Sequence, residues 1–117
     1  MKILTFSFII LLLAGSLASA EELGLASWYS VESSGNITAN GERMNNNSLT
    51  CASMDYPFGT MLKITNIENH KFVIVKVNDR GNFKNKYGRI IDLSKGAFSA
   101  IGNLKQGLLH VKIEVVK

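Results

Sequence analysis

The stretch Val75–Ser94, VKVNDRGNFKNKYGRIIDLS, decides how this chain reads. It opens as a strand. Val73, Val75 and Val77 alternate with Ile74, Lys76 and Asn78, a period of two with one strongly apolar face. Continued by two residues, the same alternation puts Asp79 on the valine face, a carboxylate at the rim of an apolar sheet. Gly81 and the Asn/Lys cluster up to Gly88 read as a loop. Arg89-Ile90-Ile91-Asp92-Leu93 reads as a second short strand that ends at a second carboxylate, and Ser94 is placed to cap a helix over Lys95–Ile101, with Gly102 as its stop. Two Asp residues at successive strand ends can meet on one rim, a suitable place for carbohydrate or acid–base chemistry. The same residues also fit a structural reading, with Asp-Arg-Gly as a turn and Asp92 as the neighbour of a helix cap.

Working outward, the strands are short and numerous. Leu23–Val31 forms the first, and its adjacent aromatics Trp28 and Tyr29 point to opposite faces, so that one packs inward and the other is free to lie against a sugar ring. Glu32–Gly35 is turn-like, Asn40-Gly41 is a strong turn signal, and Asn45–Ser48 is a polar loop. Leu49–Ser53 is a short strand, and Pro57-Phe58-Gly59 a tight connection. Thr60–Asn66 and Lys71–Asn78 pair as a hairpin around Glu68-Asn69-His70, and Leu109–Val115 closes the chain. The expectation is an all-β fold of about six strands with one short helix, closed into a small barrel that hides its edges.

Composition limits the function classes. The 117 residues suffice for one small domain. Residues 1–20 read as a secretory signal peptide: Lys2, an apolar run over Ile3–Leu13, and the small-residue site Ala18-Ser19-Ala20. That leaves residues 21–117 as the folded domain, exported to a periplasmic or extracellular space, with no stable membrane anchor expected. Cys51 is the one cysteine, so no internal disulfide forms, and a buried structural thiol is expected. His70 and His110 have no second ligand spaced near them, so no metal site is read. The formal charge is +4, falling by one when Lys2 leaves, with a local cluster at Lys84, Lys86 and Arg89. Such a surface attracts anionic polymers such as wall glycan. Export and the lack of a recognition motif argue against nucleic acid.

Several motifs follow one another in a familiar order: Gly24-Leu25-Ala26-Ser27-Trp28-Tyr29, Thr38-Ala39-Asn40-Gly41-Glu42, Leu49-Thr50, Pro57-Phe58-Gly59-Thr60, Thr65-Asn66, Val77-Asn78-Asp79-Arg80-Gly81, Gly88 through Ser94, and Gly107. The chain from Gly24 onward resembles RlpA-like (rare lipoprotein A) proteins. The resemblance implies a six-stranded double-psi β-barrel, the fold also used by expansin N-terminal and barwin-like domains. It implies an endolytic peptidoglycan transglycosylase that prefers peptide-free glycan strands and leaves 1,6-anhydromuramyl ends, without a metal or organic cofactor. Asp79 falls on the family's catalytic carboxylate, and Asp92 on an acidic groove residue of the expansin relatives. Ser27, Trp28, Tyr29, Thr50, Ser53, Tyr56, Asn78, Arg80 and Phe83 are the candidate substrate-binding residues, and a monomer is expected.

Three positions depart from the family pattern. Ser53 stands where the family has a His implicated in catalysis, Asn82 where it has a Pro, and Ser30 where it has a Gly. A serine cannot carry a proton at neutral pH. The alternative function is therefore a non-catalytic, expansin-like wall-glycan binding or loosening module that uses Trp28, Tyr29, Tyr56 and Phe83 as its surface. For the enzyme, the position of Asp79 after three valines predicts a desolvated carboxyl, partly protonated near neutral pH. For the leader, the expected outcome is an exported protein whose N-terminal sequence starts at Glu21; material starting at Met1 would contradict it.

Overall fold

The computed structural model describes residues 21–81 and 88–117. Residues 1–20, expected to be a leader, and the loop residues Phe83, Lys84 and Lys86 lie outside the described residues. Six strands form among the described residues: β1 Glu21–Tyr29, β2 Thr50–Ala52, β3 Met61–Asn66, β4 Phe72–Asp79, β5 Arg89–Ser94 and β6 Leu109–Val115. They close into a barrel in the order β1-β5-β2-β4-β3-β6. The pairs β1/β5 and β2/β4 are parallel and the other four are antiparallel, a mixed closed barrel of the double-psi type. Closure pairs both edges of every strand, so no edge is left open.

The alternation read from sequence is what fills the barrel. Val73, Val75 and Val77 of β4, Leu62 and Ile64 of β3, Ile91 and Leu93 of β5, and Val111 and Ile113 of β6 all point inward and are buried, together with Ala26 and Cys51. The expected buried thiol is found: Cys51 is fully enclosed, and burial pushes it up to about 12. The helix over Lys95–Ile101 (α2, following a single helical turn α1 at Val31–Ser34) covers one end of the barrel with Ala97, Phe98 and Ile101. Ser94 caps it as predicted. Its Oγ accepts from the Ala97 N–H at 3.2 Å and donates to the Ser48 carbonyl at 2.6 Å, so the cap also fastens the loop before β2.

Two details differ from the expected element limits. The first strand stops at Tyr29, because the Val31 N–H is taken by Asn46 Oδ1 at 2.7 Å and the chain enters α1 there instead of continuing as strand. The segment read as a turn over Glu32–Gly35 is that helical turn, closed by Gly35 N–H to the Val31 carbonyl at 3.0 Å.

Register slips occur on both parallel pairs. On β5, Ile90 is an extra residue between the partners of Leu25 and Ala26, and its side chain lies where a Cβ on Gly24 would be, 2.7 Å away. On β4, Asn78 is an extra residue between the partners of Cys51 and Ala52. These bulges turn the strand ends that carry the two aspartates.

Gly96 is the tightest backbone contact of α2. Its N–H donates to the Asn46 carbonyl at 2.7 Å, and a Cβ there would lie 2.8 Å from that oxygen and 3.2 Å from Asn47 Cα. Both are main-chain atoms, so they cannot swing aside. Gly96→Ala is expected to destabilise the fold by about 1–3 kcal/mol, as overpacking does, read as a lower midpoint in urea unfolding.

Candidate active site across four strands

The registers place four residues in one transverse row. Ser27 pairs with Asp92 across β1/β5, Asp92 with Ala52 across β5/β2, and Ala52 with Asp79 across β2/β4. Their neighbours Ala26, Ile91, Leu93, Cys51 and Val77 point into the barrel, so the row lies on its outer face. Asp92 and Asp79 are separated by one strand, roughly 10 Å between backbones at the usual strand spacing. Ala52 of β2 is the strand position between them. The two aspartates that the sequence reading set on one rim thus share this row.

The surroundings of Asp79 differ from those expected. Asp79 was predicted to share the valine face and be desolvated. The Asn78 bulge breaks the alternation and turns Asp79 to the outer face, where it is half-buried. Its Oδ1 accepts from the Ala39 N–H at 2.9 Å and from the Arg80 N–H at 2.8 Å. Asp92 is the carboxyl that burial raises above the ordinary Asp value. The donated hydrogen bond from Ser27 Oγ, 2.9 Å from Oδ1, and the charge of Arg89 oppose the rise, and the Asp79 charge adds to it.

The aromatics also differ from the expectation. Trp28 and Tyr29 do point to opposite faces, but neither is an exposed platform. Trp28 turns inward, its ring 6.5 Å from that of Phe98 and its Nε1 donating to the Leu104 carbonyl at 3.1 Å. Tyr29 points outward yet is only 5% exposed, because the segment after β1 folds back and packs Val31 and Met44 over it and Ala52. Its hydroxyl lies 3.4 Å from Thr50 Oγ1, and burial raises its phenol well above the ordinary value. Thr50 is half-buried beside it. Tyr56 packs on the barrel core and donates to Glu22 Oε1 at 3.3 Å, away from the row.

Ser53 was a candidate for substrate contact. It is 1% exposed, and its Oγ accepts from the Asp55 and Tyr56 N–H groups at 3.1 and 3.2 Å. It shapes the turn after β2 and is buried there. Asn78, 3% exposed, is likewise a support: its Nδ2 donates to Glu42 Oε1 at 3.0 Å. Arg80 does stand at the border of the row and is exposed. Phe83 lies outside the described residues.

Two contributors escaped the sequence reading. Glu42 accepts from Lys76 Nζ at 2.7 Å and from Asn78 Nδ2, and these bonds, with Asn40, hold it down at about 2. It ties the Thr38–Glu42 loop to β4, and that loop supplies the Ala39 N–H to Asp79. The Asn40-Gly41 turn was visible, but the partner Lys76 is far away in sequence. Phe58 lies under Arg80, its ring centre 4.0 Å from the guanidinium carbon. It read only as part of a tight Pro-Gly connection.

Residues 21–113 match the family described as lytic transglycolase. Among curated relatives, the chain is 49% identical over 94 residues to the probable endolytic peptidoglycan transglycosylase RlpA of Synechocystis, covering 80% of this chain and 29% of the relative. It is 50% identical over 93 residues to the endolytic peptidoglycan transglycosylase RlpA of Campylobacter jejuni, covering 80% of this chain and 33% of the relative. The chain thus spans about a third of the length of these relatives. Among solved structures, the expansin of Clavibacter michiganensis, crystallised as a variant with cellohexaose, superposes with a TM-score of 0.65 at 22% identity, covering 84% of this chain and 51% of that one. With its barrel, its row of carboxylates and this match over most of its length, the chain belongs to the RlpA-like lytic transglycolase family.

Proposed function

We propose that this protein is an endolytic peptidoglycan transglycosylase that acts outside the cytoplasm on peptide-free glycan strands and leaves 1,6-anhydromuramyl ends. The observation that carries this reading is the pair of aspartates set in one row with unlike surroundings. A desolvated Asp92, with Ser27 orienting one oxygen, is suited to hold a proton and give it to the glycosidic oxygen as the C1–O bond breaks. Asp79, held by two backbone N–H groups, is the partner placed to act as base. It takes the proton of the muramyl C6 hydroxyl as that oxygen bonds to C1. One bond to C1 breaks and one forms, and the proton lost by Asp92 is balanced by the one gained at Asp79. No water enters. The proton donor is therefore Asp92, in place of the Asp79 expected from the strand alternation.

A second reading is favoured by one observation. Ser53 stands at the family's His position with its Oγ engaged in a backbone turn, so no proton carrier is offered from there. A glycan-binding module of the expansin kind would bind strands without cutting them. Incubation with peptide-free glycan and a search for anhydromuramyl ends separates the two: ends support the enzyme, and binding with no ends supports the module. In the latter case Ser53→His is the variant to assay for gained cleavage.

Asp92→Asn is expected to lower cleavage at least about a hundredfold, the usual contribution of a general acid. It should also raise the melting temperature at neutral pH. A carboxyl raised in the folded state contributes stability that is complete below its unfolded value and is lost as pH rises through the folded one. The charged form is thus the costly one at neutral pH, and Asn removes it while keeping an acceptor for Ser27. In the wild type, cleavage should fall as pH rises through the Asp92 titration. Near-wild-type cleavage by Asp92→Asn, or a rate that climbs with pH, would remove Asp92 as the donor.

A further inference from the structure

Among the described residues, one charged side chain at the border of the row has no counter-ion. Arg80 directly follows Asp79 and is exposed. Its Nη1 donates to the Ser53 carbonyl at 3.0 Å and to the Asp79 carbonyl at 3.3 Å, and its guanidinium lies on the Phe58 ring. Both acceptors are neutral main-chain oxygens, and among the described residues no carboxylate pairs with it. The ring fixes the plane of the guanidinium and the carbonyls fix its rotation. Bracing the ends of β2 and β4 uses only Nη1. That leaves the other donors of the fork set in place beside the catalytic row, with their entropy already lost.

A planar, pre-set guanidinium with spare donors binds a carboxylate through paired N–H bonds. Phe58 strengthens this arrangement: it is 42% exposed, and a cation held over a ring keeps its charge without being buried in an ion pair. On a glycan strand of the proposed substrate, each peptide-free muramyl residue carries one fixed anion, its lactyl carboxylate. Once a stem peptide is attached, that group is an uncharged amide. We infer that Arg80, held on Phe58 beside Asp79, binds the free lactyl carboxylate of a muramyl residue and so discriminates peptide-free from peptide-bearing strands. The inference rests on the glycan reading of the site and names the residue that sets its specificity. The amide would leave the guanidinium with one weaker acceptor, and the stem peptide would occupy the space in front of it.

The test is equilibrium binding of two probes to the Asp92→Asn protein, in which strands stay uncut. The probes are peptide-free glycan strands with free lactyl acids, and the same strands with those acids converted to methyl amides. The acid strands should bind about tenfold more tightly, as expected when a hydrogen-bonded charge is lost, and the difference should shrink as salt is raised. Arg80→Gln in the same background should bring the acid strands down to the affinity of the amide strands, and Arg80→Lys should keep only part of the preference. Equal binding of the two probes by the Asp92→Asn protein overturns the inference without recourse to any Arg80 variant. So does binding of neither probe, or an Arg80→Gln variant that weakens both by the same factor. Failure of the cleavage reading looks different: wild type leaves both strands uncut while the preference for the acid persists.

Discussion

The extra residue at Asn78 is the constraint on which the site depends. Without it, β4 would continue its alternation and Asp79 would follow Val77 toward the barrel interior. With it, Asp79 comes level with Ala52 on the outer face and falls into line with Asp92 and Ser27. Such an insertion has a cost. The Asn78 side chain is enclosed, and its Oδ1 has no donor among the described residues, an omission worth about 1–3 kcal/mol in a protein interior. The barrel bears that cost at the one strand position that sets the second carboxylate. Bulges beside active sites serve this purpose generally, re-aiming a side chain that the regular pleat would misdirect.

Once the two carboxyls share a row, their difference follows from what lies over each. The chain after β1 folds back and lays Val31 and Met44 over Tyr29 and Ala52, next to Asp92. Water is thereby excluded on the β1/β5 side, and Asp92 feels the loss of solvation more than it feels the Ser27 hydrogen bond. Asp79 is at the other end of the row, where the Thr38–Glu42 loop offers an N–H instead of an apolar cover. A single sheet face thus gives two aspartates unlike surroundings, one under an apolar cover and one held by backbone N–H groups.

The strands, the hairpin and the capped helix were legible because they rest on local alternation and on Ser94, signals that lie within a few residues of where they act. That Asp79 and Asp92 lie on strands close to one another was legible for the same reason, Asp79 at the end of β4 and Asp92 within β5. What was not legible depends on register. A bulge has no sequence mark of its own here, since Asn78 fits a regular strand as well, and the parity argument that put Asp79 with the valines failed at that one residue. One of Trp28 and Tyr29 was expected to be free, but the segment that covers the outward one, Tyr29, is polar and turn-rich, and of its apolar anchors Val31 and Met44 the second is 15 positions away. Ser53 took its meaning from the family's His, whereas its own surroundings made it a turn residue. The Glu42–Lys76 pair and the Arg80–Phe58 stack each join segments that only the closed barrel brings together.

Glu42 completes the electrostatic argument, because it is displaced in the direction opposite to Asp92. Lys76 and Asn78 hold Glu42 at about 2, so the support it gives the Thr38–Glu42 loop is present above the ordinary Glu value and is lost only as pH falls through about 2. Asp92 is displaced upward, so it takes up its proton at a higher pH than an ordinary Asp does. There is consequently a broad interval in which Asp92 holds a proton while Glu42 is still ionised. In that interval the loop stays fastened to β4, and the Ala39 N–H keeps its place on Asp79. The clamp is ion-paired at the surface and the acid is half-enclosed. Salt therefore weakens the clamp more than the acid, since screening acts on exposed charges and leaves a desolvation-driven displacement largely untouched. Asp92 and the loop that holds Asp79 are governed by different physics, which lets one titrate without loosening the other.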